Sequence, residues 1–296
     1  ETFNEFRKVK EANVPVFLIA GSHDYSVSGK TFLDVLEKAG FVKNVFQPEE
    51  KNGKIILQPT IYKNVAIYGY PGRKSGLEVQ DIERISIQDS PGLFRILMLH
   101  TTLKDAIGTL PIPAVDPENL PKVDYLALAH LHLKYHKENR VYCGPTFPNN
   151  AAELEELKGG SFYIVETSGK IERHEINLKE VIKLDIEIND SFIGTEKIIQ
   201  ELEKYNLKDK ILILKLKGIL EKGKVSDIDF KKIEIYLREK EVYTFLKNTT
   251  KLQAVEPEIK IEVQSEDIEG EILSKFQKEN PNKFNNLISQ LFSFLQ

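Results

Sequence analysis

VDYLALAHLH, residues 123–132, is an apolar run that ends in two histidines spaced i, i+2. From Val123 to Leu128 there is no polar face, so the segment reads as a strand buried on both sides. In an extended chain, alternate side chains share a face about 6.6 Å apart, so His130 and His132 are expected to point the same way and to grip one metal or two neighbouring ones. A single H-x-H is equally compatible with two hydrogen-bonded polar residues where a strand surfaces. Two further stretches weigh against that simpler account. VFLIAGSHD (Val16–Asp24) and FRILMLH (Phe94–His100) are also short apolar runs with a histidine at or just beyond the C-terminal end. His23, His100, His130 and His132, four of the six histidines in 296 residues, thus fall at strand ends. In open α/β and layered sheets, sites are built at that edge. Converging imidazoles suit a divalent transition metal better than a core, where each ring needs its own partner.

Composition narrows the setting. With 41% apolar residues over 296 positions, the chain can bury a large core and accommodate more than one domain. The single cysteine, Cys143, excludes an internal disulfide and a cysteine-based metal site, and it reads as a small buried residue. No run reaches membrane-span length and no basic-then-apolar leader is visible, so the expected setting is the cytoplasm, without a membrane partner. Net charge is −4, and a nucleic-acid partner would have to be met by a local basic surface.

Along the chain, residues 1–11 read as the end of an amphipathic helix carrying Phe3, Phe6 and Val9. Thr31–Ala39 reads as a second helix stopped by Gly40. Ser28-Gly29-Lys30-Thr31 superficially suggests a phosphate-binding loop, but that motif needs a glycine where Asp24 stands, so nucleotide binding of that kind is rejected. Lys54–Leu57 and Ala66–Tyr70 read as strands, the first after the tight-turn pair Asn52-Gly53. Gly72 and Arg73 open a loop. Gly108–Pro121 is irregular and could be an active-site wall or plain surface. A strand Arg140–Cys143 and a hairpin, Ser161–Glu166 with Ile171–Ile176, close a first domain, residues 1–180. Residues 181–263 alternate strand and helix: Ile182–Ile188, Thr195–Tyr205, Ile211–Leu216, Asp229–Arg238 and Val242–Leu246, a small α+β cap. Residues 264–296 form a helical tail whose stripe, Phe284, Leu287, Ile288, Leu291 and Leu295, docks on its own domain or serves a partner helix.

With GSHD at 21–24, LMLH at 97–100 and AHLH at 129–132, followed by CGPT, the chain resembles the calcineurin-like metallophosphoesterases, and within them the SbcD-type DNA repair exonucleases. The resemblance covers most of residues 12–180. It implies a mixed α/β fold, a two-layered β-sandwich flanked by helices with the small α+β capping domain, and two Mn2+ ions at one edge. It also implies that His23 protonates the leaving oxygen with Asp24 supporting its ring, that His100 and His130 bind one metal and His132 the other, and that Ser22 stands at a metal-ligand position. The partners it implies are double-stranded DNA ends, an SbcC-type, SMC-like ATPase docked on the C-terminal helix, and a second copy in a homodimer.

Two departures stand out. Ser22 replaces the asparagine of the family's G-N-H-D, and Ala129 replaces the glycine before H-x-H. The family's D-x-H and G-D-x-x-D motifs have no counterpart in these residues. They are expected to lie before Glu1, and a chain without them is expected to be a poor enzyme. Three readings follow: a manganese-dependent DNA nuclease, a phosphodiesterase or phosphatase acting on a small molecule, and a non-catalytic binding module. Salt-sensitive binding to duplex DNA separates the first two.

Overall fold

The computed structural model describes residues 2–25, 31–74, 76–254, 274–276 and 278. The apolar stripe Phe284–Leu295 lies outside the described residues, as do Ser28, Gly29 and Lys30. The fold is mixed α/β, and its centre is a six-stranded sheet. In spatial order the strands are Tyr135–Lys137, Arg140–Tyr142, Tyr125–Ala129, Phe94–His100, Val65–Tyr70 and Thr60–Tyr62. The four inner strands are mutually parallel and the outer two antiparallel to their neighbours.

Register explains which side chains meet. Tyr68 lies opposite Leu97 and Leu97 opposite Leu126, while Tyr70, Leu99 and Leu128 form the next row. These six residues share one face by the two-residue repeat of a strand. All are buried, in one core with Ile55 and Leu57 of Lys54–Leu57 and Ile85 of Ile85–Ile87. Those two strands and Pro48–Lys51 make a separate three-stranded sheet, whose hairpin turns at Asn52 (φ 51°) and Gly53 (φ 75°). On the opposite face, Gly69 leaves space that Ile19 and Val45 fill, and a Cβ there would stand 2.6 Å from Val45 Cγ2. That contact brings the short parallel pair Phe17–Leu18 and Lys43–Asn44 close to the sheet.

A second core lies among Val181–Glu187, Ile211–Leu220 and Thr244–Ala254, a parallel three-stranded sheet, and the helices Gly194–Leu202 and Phe230–Glu239. Leu184, Leu214, Ile198, Leu202, Ile233 and Leu237 are its buried centre. Glu155, on the helix Ala151–Leu157, pairs with Lys183 at 2.5 Å and with Lys215, tying that helix to this sheet. Among the described residues no helix is long and apolar enough to cross a membrane.

Several sequence expectations are corrected. The strand at the heart of the sequence reading is buried on one face only: Leu126 and Leu128 are enclosed, whereas Tyr125 and Ala127 are half-buried. It ends at Ala129, and His130 turns out of it with φ 99°, so His130 and His132 do not share a strand face. Cys143 is half-buried rather than buried. The stretch 108–121 is irregular, as its sequence suggests, and is anchored by Val115, whose backbone bonds to Thr102 and Lys104 and whose side chain is fully enclosed. The last strand runs to Ala254, farther than its apolar residues suggested, because its backbone follows Ile211–Leu220 past a register shift near Lys215.

Asp81 couples the core to the loop beyond Tyr70. On the helix Glu78–Ile82, it accepts from Tyr70 Oη at 2.8 Å and is paired with Arg84 at 2.6 Å and Arg73 at 2.7 Å. Burial pushes its carboxyl up, but the Tyr70 and Arg84 hydrogen bonds and the Arg73 charge together hold it below its usual range. Asp81→Asn should therefore lower stability by about 1–3 kcal/mol at neutral pH. Because the folded pKa is the lower one, the contribution is full above the unfolded value of about 4 and is lost as pH falls through the folded value. Thermal unfolding of both forms from pH 7 to pH 3 checks this, and a gap that stays constant would refute it.

Candidate metal centre

His100 sits at the C-terminal end of Phe94–His100, opposite Ala129 in register, and on the sheet face away from Leu97 and Leu99. Its Nε2 is approached from three directions. The Ser22 N–H donates to it at 3.3 Å, Ser22 Oγ stands at 3.3 Å and His130 Nδ1 at 3.2 Å. One ring nitrogen has a single in-plane lone pair, so it cannot satisfy all three. The φ of 99° at His130 makes the approach possible, because it swings the ring back toward His100 instead of continuing the strand.

The space around His100 is defined by two glycines. A Cβ on Gly72 would overlap ring carbon Cδ2 and lie 2.8 Å from Ser22 N, and one on Gly21 would stand 3.0 Å from Cε1. The Gly21–Asp24 turn is closed by Asp24, whose Oδ2 accepts from the Gly21 N–H at 2.6 Å. Both His23 and Asp24 are exposed. Burial pushes the His100 ring down to about 4, His130, His23 and His132 add to the effect, and Asp24 opposes it. The ring is therefore neutral at physiological pH, the form in which imidazole binds a cation.

His132 faces elsewhere. Its Nδ1 meets Glu153 Oε1 at 3.1 Å. Glu153 is itself fixed by the Asn149 N–H at 2.9 Å and the Asn150 amide at 2.7 Å, in the first turn of Ala151–Leu157, which Asn150 caps. Those contacts, the Asn149 N–H foremost, hold the Glu153 carboxyl below its ordinary range. Glu153 was not among the residues expected from sequence. The signal available was Asn150 followed three residues later by an acid, a helix-start signature that announces a cap and not a site.

The donor set fits a cation in part. Two nitrogens each about 2.1 Å from one ion would lie roughly 3.0–3.4 Å apart at the usual bond angles, which matches the His100–His130 separation. Among the described residues, however, no group of three or more His, Cys, Asp or Glu side chains gathers at one point. His100, His130 and Ser22 thus come together, His23 shares a cleft of about 540 Å³ with Ser22 and His130, and His132 and Asp24 are engaged by other partners.

No protein-family model matches the chain. It is 26% identical over 257 residues to the DNA double-strand break repair protein Mre11 of Methanosarcina mazei, covering 81% of this chain and 38% of that protein. It is 25% identical over 243 residues to the protein of the same name from Methanocaldococcus jannaschii, covering 77% and 58%. It is also 28% identical over 177 residues to the uncharacterized metallophosphoesterase YhaO of Bacillus subtilis, covering 56% and 40%. The chain is thus similar, at 25–28% identity, to repair proteins named Mre11 and to a metallophosphoesterase. It spans between 38% and 58% of the length of these curated metallophosphoesterase and repair-protein relatives.

Gly72→Ala should displace the His100 ring, costing about 1–3 kcal/mol through overpacking. By NMR, the His100 ring should titrate near pH 4 in the parent chain and closer to the ordinary imidazole value in Gly72→Ala. Unchanged stability with an unchanged titration midpoint would show that the glycine does not set the ring's surroundings.

Proposed function

We propose that this chain carries part of the catalytic site of a divalent-metal-dependent phosphodiesterase that acts on DNA in double-strand-break repair, of the SbcD type. The observation that carries the reading is the meeting of His100 Nε2, His130 Nδ1 and Ser22 Oγ within 3.3 Å at the end of parallel strands. The similarity to repair proteins named Mre11 supports DNA as the substrate.

His100, His130 and Ser22 would hold one ion and His132 a second, with manganese preferred because neutral imidazoles favour transition metals over magnesium. When bound, such ions hold a phosphate, activate water and offset the charge that builds up on phosphorus. His132 is arranged for such a role: with Nδ1–H donated to Glu153, its Nε2 lone pair is left for a ligand. Glu153 is then a positioning residue. His23, exposed on the cleft beside Ser22 and His130, gives its proton to the departing sugar oxygen. Asp24 aims it by closing the Gly21–Asp24 turn. Ser22 offers a shorter and weaker oxygen than an asparagine amide, so the ion shared by His100 and His130 would be held less tightly. The proposed organisation assigns residues 1–180 to hydrolysis, 181–263 to orienting duplex ends and 264–296 to an SbcC-type ATPase, in a homodimeric assembly.

The test is manganese-dependent cleavage of linear duplex DNA by the full-length natural protein, with manganese binding followed by titration. His23→Ala should cut the rate by about 10²–10⁴ while leaving manganese affinity unchanged. Glu153→Gln should weaken manganese binding by about 10–100-fold. Turnover of a small phosphodiester without cleavage of DNA would reassign the substrate, and the absence of both activities would leave a binding module.

A further inference from the structure

The cleft shared by Ser22, His23 and His130 is also lined by Tyr25, Arg73, Lys74 and Glu78, four residues that the hydrolytic reading does not use. Arg73 is held in place from behind, its guanidinium 2.7 Å from Asp81, which also neutralises Arg84. Two guanidinium groups against one carboxylate leave a net positive charge there, and the neighbouring Lys74 is exposed. Glu78 is of the opposite character. It is only 4% exposed, and its Oε2 has no hydrogen-bond partner among the described residues. A buried carboxylate oxygen without a partner is costly to keep, and a ligand that brings a hydrogen-bond donor would remove that cost. Tyr25 adds an aromatic ring at the same cleft.

We infer that this cleft is a nucleotide subsite, with Arg73 and Lys74 taking a phosphate and Glu78 accepting from the amino group of a base. The chemistry of the lining selects this class of ligand. A bare phosphate would satisfy the cations and leave Glu78 unpaired, and an amine would satisfy Glu78 and leave the cations unpaired. A nucleotide carries both groups, and its base offers a flat face to Tyr25. Carboxylates accept readily from exocyclic amines such as that of cytosine, whereas thymine has none. At the proposed phosphodiesterase site, the subsite would hold a nucleotide next to the scissile phosphate and would favour cytosine, adenine or guanine there. This inference rests on that reading for its biological role, but its binding chemistry needs no metal and no turnover.

The experiment is calorimetric and NMR titration of the 296-residue chain with dCMP, dAMP, dGMP, dTMP and inorganic phosphate, in EDTA. Lys74→Ala should weaken every mononucleotide and phosphate by about tenfold, through loss of a charged hydrogen bond. Glu78→Gln, which preserves shape, should weaken the three amine-bearing mononucleotides several-fold while leaving dTMP and phosphate unchanged, and its unfolding midpoint reports whether the core is intact. If the parent chain binds no mononucleotide, or if both variants bind as the parent does, the subsite is refuted. Neither result touches the nuclease reading, which stands or falls on cleavage of linear duplex DNA by the full-length natural protein. Loss of cleavage with intact mononucleotide binding would refute the hydrolytic reading alone.

Discussion

The convergence of Ser22 and His130 on one nitrogen of His100 organises the rest of the molecule. These residues lie 78 and 30 positions from His100 in sequence, and none could reach it without the sheet. Parallel pairing places His100 beside Ala129, so the residue that follows Ala129 leaves the sheet at the height of the His100 ring. Gly69, on the neighbouring strand, has no side chain to hold off Ile19 and Val45, so the segment leading to Ser22 descends onto the same face. Gly21 and Gly72 then admit the ring itself. A methyl group at any of these three glycines would separate the segments that the site joins.

Much of this was legible in the chain. The runs at Phe94–His100 and Tyr125–Ala129 are short and mostly apolar, with a histidine at the end of the first and just beyond the second, so their strand character and the shared edge could be read directly. Asn52-Gly53 announced its hairpin because two positive φ angles in succession need those residue types. The helices Gly194–Leu202 and Phe230–Glu239 followed from their apolar stripes. Other elements were silent for physical reasons. Pro48–Lys51 is PEEK, with every side chain exposed, and it is a strand only because Lys54–Leu57 pairs with it. Thr244–Ala254 carries few apolar residues and takes its length from its neighbour.

The site was half legible. That His100 and His130 meet accords with their places at strand ends, but His132 turns to Glu153 instead, and how the rings face was not legible. The positive φ of His130 is set by tertiary context, and a reading that extends the strand through His132 gives the two rings a common face they do not have. Glu153 was hidden for a different reason: it reads locally as a helix-start residue, and its second partner, His132, lies 21 residues away. Asp81 and Glu78 look alike in sequence, yet one is surrounded by donors and the other has an oxygen with none among the described residues.

The helix Ala151–Leu157 is only seven residues long, but it is gripped from two sides. Glu153 reaches His132, and Glu155 reaches Lys183 and Lys215 on the parallel sheet of the second core. Residues two apart on a helix point about 200° apart, so these carboxylates face in nearly opposite directions. The helix is thus held from two faces, by the His132 contact on one and by the ion pairs to Lys183 and Lys215 on the other. The two sheets therefore share one seven-residue helix as a common brace, which meets an imidazole beside the first and two lysines of the second.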